Sequence, residues 1–197
     1  SLFVNLDLKD SDQHIIIKAS SPNLTAFLFN PQNPELAYTF DGTFKNIELG
    51  HWIGNPELNY YINGQLSASG RGIDPANASI KVNADFNETV IEDKRLTELL
   101  VDWQLNQGNL DGIVQGNGEF GEFHISPEIQ SLFETPVYQA ELQTNNLDLA
   151  QLTGNDSLSS SLNLRASIEG ESFDPAQLSA TAEIIISESQ FREIQMD

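Results

Sequence analysis

"SIKVNADF" (79–86) decides the fold. Ile80, Val82, Ala84 and Phe86 fall on one side of an extended chain, and Lys81, Asn83 and Asp85 on the other. This is period two, the alternation of a strand with one apolar and one wet face. The beat continues in both directions. Upstream, "LNYYINGQLSA" (58–68) gathers Leu58, Tyr60, Ile62, Gly64, Leu66 and Ala68, and "LFVNLDL" (2–8) gathers Leu2, Val4, Leu6 and Leu8. Downstream, "ELLVDWQLN" (98–106) sets Leu99, Val101, Trp103 and Leu105 against Asp102 and Gln104. "SLSSSLNLRASIEG" (157–170) and "LSATAEIII" (178–186) behave alike, bringing in Leu158, Leu162, Leu164, Ile184 and Ile186. Gly, Pro, Asn and Asp clusters separate the runs. The pattern predicts roughly eleven strands, many of about ten residues or 33 Å, joined by short connections into an antiparallel meander. Two short stretches read as helical turns: "IELGHWIG" (47–54), whose Leu49, Trp52 and Ile53 would plug a sheet end, and "SPEIQSLF" (126–133).

The chain also repeats itself. "GRGIDPA" (70–76) recurs as "GESFDPA" (170–176). Without a gap, Tyr38 falls on Tyr138, Asn46 on Asn146, Leu49 on Leu149, Gly54-Asn55 on Gly154-Asn155, Asn63 on Asn163 and Ser67 on Ser167. Self-similarity at a fixed period marks a repeat architecture. Asp74-Pro75 and Asp174-Pro175 suit the first two positions of a type I turn. Gly70 and Gly170 would end a strand where a side chain hinders the bend, and Ala76 and Ala176 would restart the next one. The organisation expected is residues 1–37 as the end of a preceding β-repeat, 38–137 as one repeat and 138–197 as part of a second, together one continuous domain excised from a longer array.

Composition narrows function. The formal charge is −20, with 29 acidic residues against 9 basic, which repels nucleic-acid phosphates and anionic lipid surfaces. No cysteine is present, so neither a disulfide framework nor a thiolate site exists. No apolar run approaches the roughly 20 residues of a spanning helix.

Within each unit the order is a strand from Tyr38 or Tyr138, an "NIEL" (46–49) or "NLDL" (146–149) turn, a Gly-Asn break, a strand ending its first half in Asn63 or Asn163, then G-x3-D-P-A and another strand. This order resembles the bacterial AsmA-like proteins, and within them the TamB family, from about residue 36 onward. The resemblance implies an all-β fold: a long antiparallel sheet curled along its length into a U-shaped apolar groove, built from repeats of about a hundred residues. It further implies a periplasmic location with an inner-membrane anchor outside this segment, a design similar to bridge-like lipid transfer proteins, and an Omp85-class outer-membrane barrel as partner through other parts of the protein.

The residues alone pose the same question. A sheet with one apolar face must bury it, either in a sandwich or closed barrel, or by curling round a channel. A head-to-tail duplication with no Pro/Ser/Gly linker favours the extendable trough. The expected lining is Phe27, Phe29, Phe40, Phe44, Leu58, Tyr60, Ile62, Leu66, Ile80, Val82, Phe86, Leu99, Val101, Trp103, Leu105, Leu158, Leu162, Leu164, Ile184 and Ile186. Phospholipid acyl chains would lie on it and no bond would be made or broken. A scaffold offering its sheet edge to outer-membrane strands and a calcium-binding surface adhesin are the alternatives.

Catalytic and cofactor motifs read as ordinary structure. "GNGEFG" (116–121) satisfies G-x-G-x-x-G, but "EFHISPEI" follows where a dinucleotide site needs a helix. "DLKDSD" (7–12) lacks the glycine of a calcium loop, and His14, His51 and His124 lack ligand spacing. Neither metal nor cofactor is expected.

Overall fold

The computed structural model describes residues 1–24, 29, 36–55, 57–91, 94–192 and 194–196. Its strands are β1 (Leu2–Asp10), β2 (Gln13–Ser21), β3 (Ala37–Glu48), β4 (Tyr60–Arg71), β5 (Ser79–Ile91) and β6 (Lys94–Asn106). They continue as β7 (Asn109–Gly118), β8 (Gly121–Gln130), β9 (Val137–Leu147), β10 (Ser160–Glu171), β11 (Ser179–Ile186), β12 (Ser189–Phe191) and β13 (Ile194–Met196). Neighbours in sequence pair antiparallel from β1 to β10. β11 and β12 then share the far edge of β10, and β13 follows β12. The count exceeds the expected eleven because Glu188, at φ 43°, separates β12 from β11, and β13 is only three residues long.

Among the described residues the sheet is all-β and does not close: β1 pairs only with β2. A twisted sheet of this many strands curls. Among the described residues no second sheet lies over it. The accessible surface is 12606 Å², against about 9,300 Å² for a compact chain of this mass. No large side chain among the described residues is fully buried. A sandwich core is thereby ruled out for the described residues.

The duplication is structural as well as sequential. Tyr38↔Gly70 recurs as Tyr138↔Gly170, Ile47↔Ile62 as Leu147↔Leu162, and Gly64↔Phe86 as Leu164↔Ile186. Each turn after G-x3 closes on Asp. The Asn77 amide donates to the Asp74 carbonyl at 2.9 Å and the Gln177 amide to the Asp174 carbonyl at 2.9 Å, while Asp Oδ1 accepts from Ala76 and Ala176. The Ala residues thus lie inside the turn, and the strands restart at Ser79 and Ser179.

A line of bulges crosses the strands at one height. On β3, Lys45 and Asn46 together oppose Asn63 of β4; on β5, one extra residue at Asn87–Glu88 opposes the same Asn63. Asn145 and Asn146 of β9 oppose Asn163 of β10 in the same way. Asn46, Glu88, Asn146 and Glu188 all take positive φ, between 43° and 52°. One asparagine ties each line across three strands. Asn63 Oδ1 accepts from the Asn46 amide at 2.7 Å and its Nδ2 donates to the Glu88 carbonyl at 3.2 Å. Asn163 does the same with Asn146 at 2.8 Å and Glu188 at 2.9 Å. Bulges bend and overtwist a strand, so these lines sharpen the curl while returning the apolar residues beyond them to their original face.

Two helical turns were expected. The first is helix α1 (Leu49–Ile53), matched in the second unit by α2 (Leu149–Thr153). Its plug is smaller than expected. Trp52 is half-buried and donates to Gln13 Oε1 at 2.7 Å, Leu49 is half-buried, but Ile53 is exposed. The second, at 126–133, is a strand through Gln130 followed by a turn. Pro127 sits in β8 opposite Ala140, where the β7–β8 ladder skips Gly112 and Ile113 and no amide is required.

Candidate apolar groove

The register assembles the apolar positions of successive strands into rows running across the sheet. One row is Leu6, Ile17, Gly42, Leu66, Ala84, Val101, Val114, Ile125, Leu142, Ala166 and Ile184, each opposite the next on eleven consecutive strands. At about 4.8 Å per strand it extends about 48 Å along the curl. A parallel row runs Leu8, Ile15, Phe44, Gly64, Phe86, Leu99, Gly116, Phe123, Thr144, Leu164 and Ile186. On the other side lie Val4, Ala19, Phe40, Ala68, Val82, Trp103 and Gly112. None of these residues carries charge. On this face charged side chains come at strand ends, at Asp10 and Lys94. The opposite face carries Lys18, Asp41, Ser67, Asn83 and Asp102 in the corresponding row, with a Lys81–Asp102 ion pair at 3.8 Å.

Aromatic rings pave the apolar face by lying over glycines of the adjoining strand. A Cβ on Gly116 would sit 2.5 Å from the Phe123 ring, and on Gly70 2.6 Å from Tyr38; Gly112 lies as closely under Trp103. Phe86 lies over Gly64, and Phe44, over Gly42 of its own strand, tilts toward it with ring centroids 6.5 Å apart. Gly70 and Gly170 therefore leave room for Tyr38 and Tyr138; they stand inside β4 and β10 and make no bend. Partial burial raises the Tyr38 phenol above its ordinary pKa. Glycine under an aromatic replaces missing side-chain packing in a sheet.

Of the expected lining, Phe40, Phe44, Tyr60, Ile62, Leu66, Ile80, Val82, Phe86, Leu99, Val101, Trp103, Leu105, Leu162, Leu164, Ile184 and Ile186 stand on this face. Leu58 and Leu158 do not: each precedes its strand in the connection after a helix. Phe29 lies off the sheet and is 90% exposed. Phe27 lies outside the described residues. Ile15, Ile17, Val114, Phe123, Ile125 and Leu142 complete the rows without having been expected there. "HIIIKA" hides its alternation in a continuous apolar run, and the end of β8 was read as a helical turn.

The other motifs resolve into local structure. Gly116–Gly121 forms the β7–β8 hairpin, with no helix after it. In "DLKDSD", Asp7 pairs with His14 at 2.8 Å, Asp10 with His51 at 2.9 Å, and Asp12 accepts from Asn46 at 3.3 Å. A shallow depression of about 470 Å³ lies on the opposite face, where Leu100 and Ile113 stand among Asp41, Asp85 and Asp102. No helix among the described residues is long and apolar enough to cross a membrane. No family model, curated protein or solved structure matches the chain.

Proposed function

We propose that the chain is a segment of an AsmA-like, TamB-type periplasmic protein whose apolar face shields phospholipid acyl chains in passage between the inner and outer membranes. One observation carries this reading: an uninterrupted, charge-free apolar row crosses eleven strands with no second layer over it. A face of that length would be unfavourable in water unless something apolar lay on it. A wall without a charged anchor in its middle suits a chain that slides rather than one that is gripped. Head groups would stay at the rim, where the strands end in polar and charged residues. The function is non-enzymatic and uses no cofactor, and any Omp85-class partner would engage other parts of the protein.

The test is native mass spectrometry of the chain purified from bacterial cells without detergent, with lipid analysis of a solvent extract. Bound phospholipid is expected. Val101→Asp, which places a charge in the middle of the longest row, should abolish it, while Gln65→Asp on the polar face should not. Lipid retained equally by both variants would defeat the reading.

A further inference from the structure

The two ends of the strands differ, and the difference runs along the sheet. At one end lie the bulge lines and both helical turns. There the apolar face is filled by its own side chains: Ile47, Thr89, Leu96 and Phe120 are buried, and so is Ser189 in the second unit. The connections at this end are acidic, with Asp12, Glu57, Glu119, Asp148 and Asp156 in them. At the other end the strands join through the Asp-Pro turns and short loops. The connections 72–78, 107–108, 131–136 and 172–178 carry at most one charged residue each. They present apolar side chains instead. Ala78 is buried within its turn, but Ile73, Phe133, Phe173 and Leu178 are 44% to 53% exposed. Phe173 stacks on Tyr138 with ring centroids 5.1 Å apart, and Tyr38 holds the same place in the first unit. Between this lip and the bulge line the face is half-open: Tyr38, Phe40, Leu66, Val82 and Leu99 are half-buried.

We propose that the turn end is the mouth of the groove and the bulge line its floor, so that a phospholipid lies along the strands, its head group beside Tyr38 or Tyr138 and its chain ends against Phe44, Leu99 or Leu164. This rests on the lipid-shielding reading above and gives the lipid a direction. The lip is apolar enough to admit hydrocarbon. A tyrosine at such a boundary keeps its ring among apolar groups and its hydroxyl at the wet side. The depth suits a single chain. From Tyr38 to Phe44 the strand β3 advances about 20 Å, and one leaflet of a bilayer gives its chains about 15 Å of hydrocarbon. A chain entering from the helical end would have to pass the carboxylates there and displace Ile47 and Leu96. Lipids in successive positions would lie side by side, with all their head groups in one file on one rim.

The chain has no cysteine, so a single label can be placed at either end. Thr135→Cys, beyond the turn end of β8, and Glu119→Cys, before its other end, are exposed positions for a fluorophore. Each whole labelled chain is loaded with phosphatidylcholine bearing a nitroxide on the head group or near the end of an acyl chain, separated from vesicles and assayed for bound lipid phosphorus. The head-group nitroxide should quench the label at 135 more than the chain-end nitroxide does, and the order should reverse at 119. In uptake kinetics with the same lipid, Ile73→Asp at the lip should slow loading about two- to fivefold. Ile53→Asp, 58% exposed on the helical turn, should leave it unchanged. Bound lipid with the quenching order inverted would put the mouth at the helical end. Bound lipid with equal quenching at both labels would lay the chains across the strands. Either result, or equal slowing by both substitutions, overturns this proposal and leaves the groove reading standing. A chain that binds no lipid phosphorus overturns the groove reading and this proposal with it.

Discussion

Gly116 and Asn163 show how much of this sheet rests on single positions. Gly116 is empty because the Phe123 ring fills its place. Gly116→Val forces the ring off its bed and should destabilise the chain by about 1–3 kcal/mol; Phe123→Ala in the same chain should recover part of that loss in thermal melts. Asn163 works by its two amide atoms, one accepting from β9 and the other donating to the β11–β12 junction. Asn163→Ala leaves an amide and a carbonyl without their partner and should lower stability by about 1–3 kcal/mol in urea titration. Asn163→Asp keeps the acceptor and should lose less. Tyr38 adds a pH effect of predictable sign. Its phenol is raised by burial, so its neutral form is the one the fold favours. That contribution is whole below a pH of about 10 and is lost as the phenol ionises above it; Tyr38→Phe should flatten the alkaline limb of the stability curve.

Strands were legible wherever alternation was strict, as in β5 and β6, and in each case the face named from the residues is the face observed. What the pattern could not carry was the bulge. Asn46, Asn63, Asn146 and Asn163 stood out as repeated residues, but the cross-strand bonds that explain them join segments 17 residues apart, and no local period records that. The helical turn expected at 126–133 is instead the end of β8, where Pro127 is tolerated because the ladder needs no amide there. The helical turn expected at 47–54 is present as Leu49–Ile53, but its plug was overstated because a five-residue helix has too little surface to bury three side chains. The groove lining suffered at its ends: Leu58 and Leu158 continue the alternation into connections where the chain is no longer extended.

Across the whole molecule, packing is almost entirely between neighbouring strands. Less surface is removed from water than in a compact chain, and the urea m-value should fall about 15% below that usual for this length, since m follows the area exposed on unfolding. Exchange protection should peak in β5 to β9 and decline toward β1, because each strand is held only by those beside it. The hundred-residue correspondence of the ladders also gives the sheet a unit of length. β2 meets β3 through Ile17↔Gly42, and β8 meets β9 through Ile125↔Leu142, with position 142 standing where 42 stood. Excising residues 38–137 would therefore join β2 to β9 without disturbing either margin, and would shorten the molecule by six strands, about 29 Å. Chain length here acts as a ruler: a span of any desired reach is obtained by choosing how many times the same hundred residues are written.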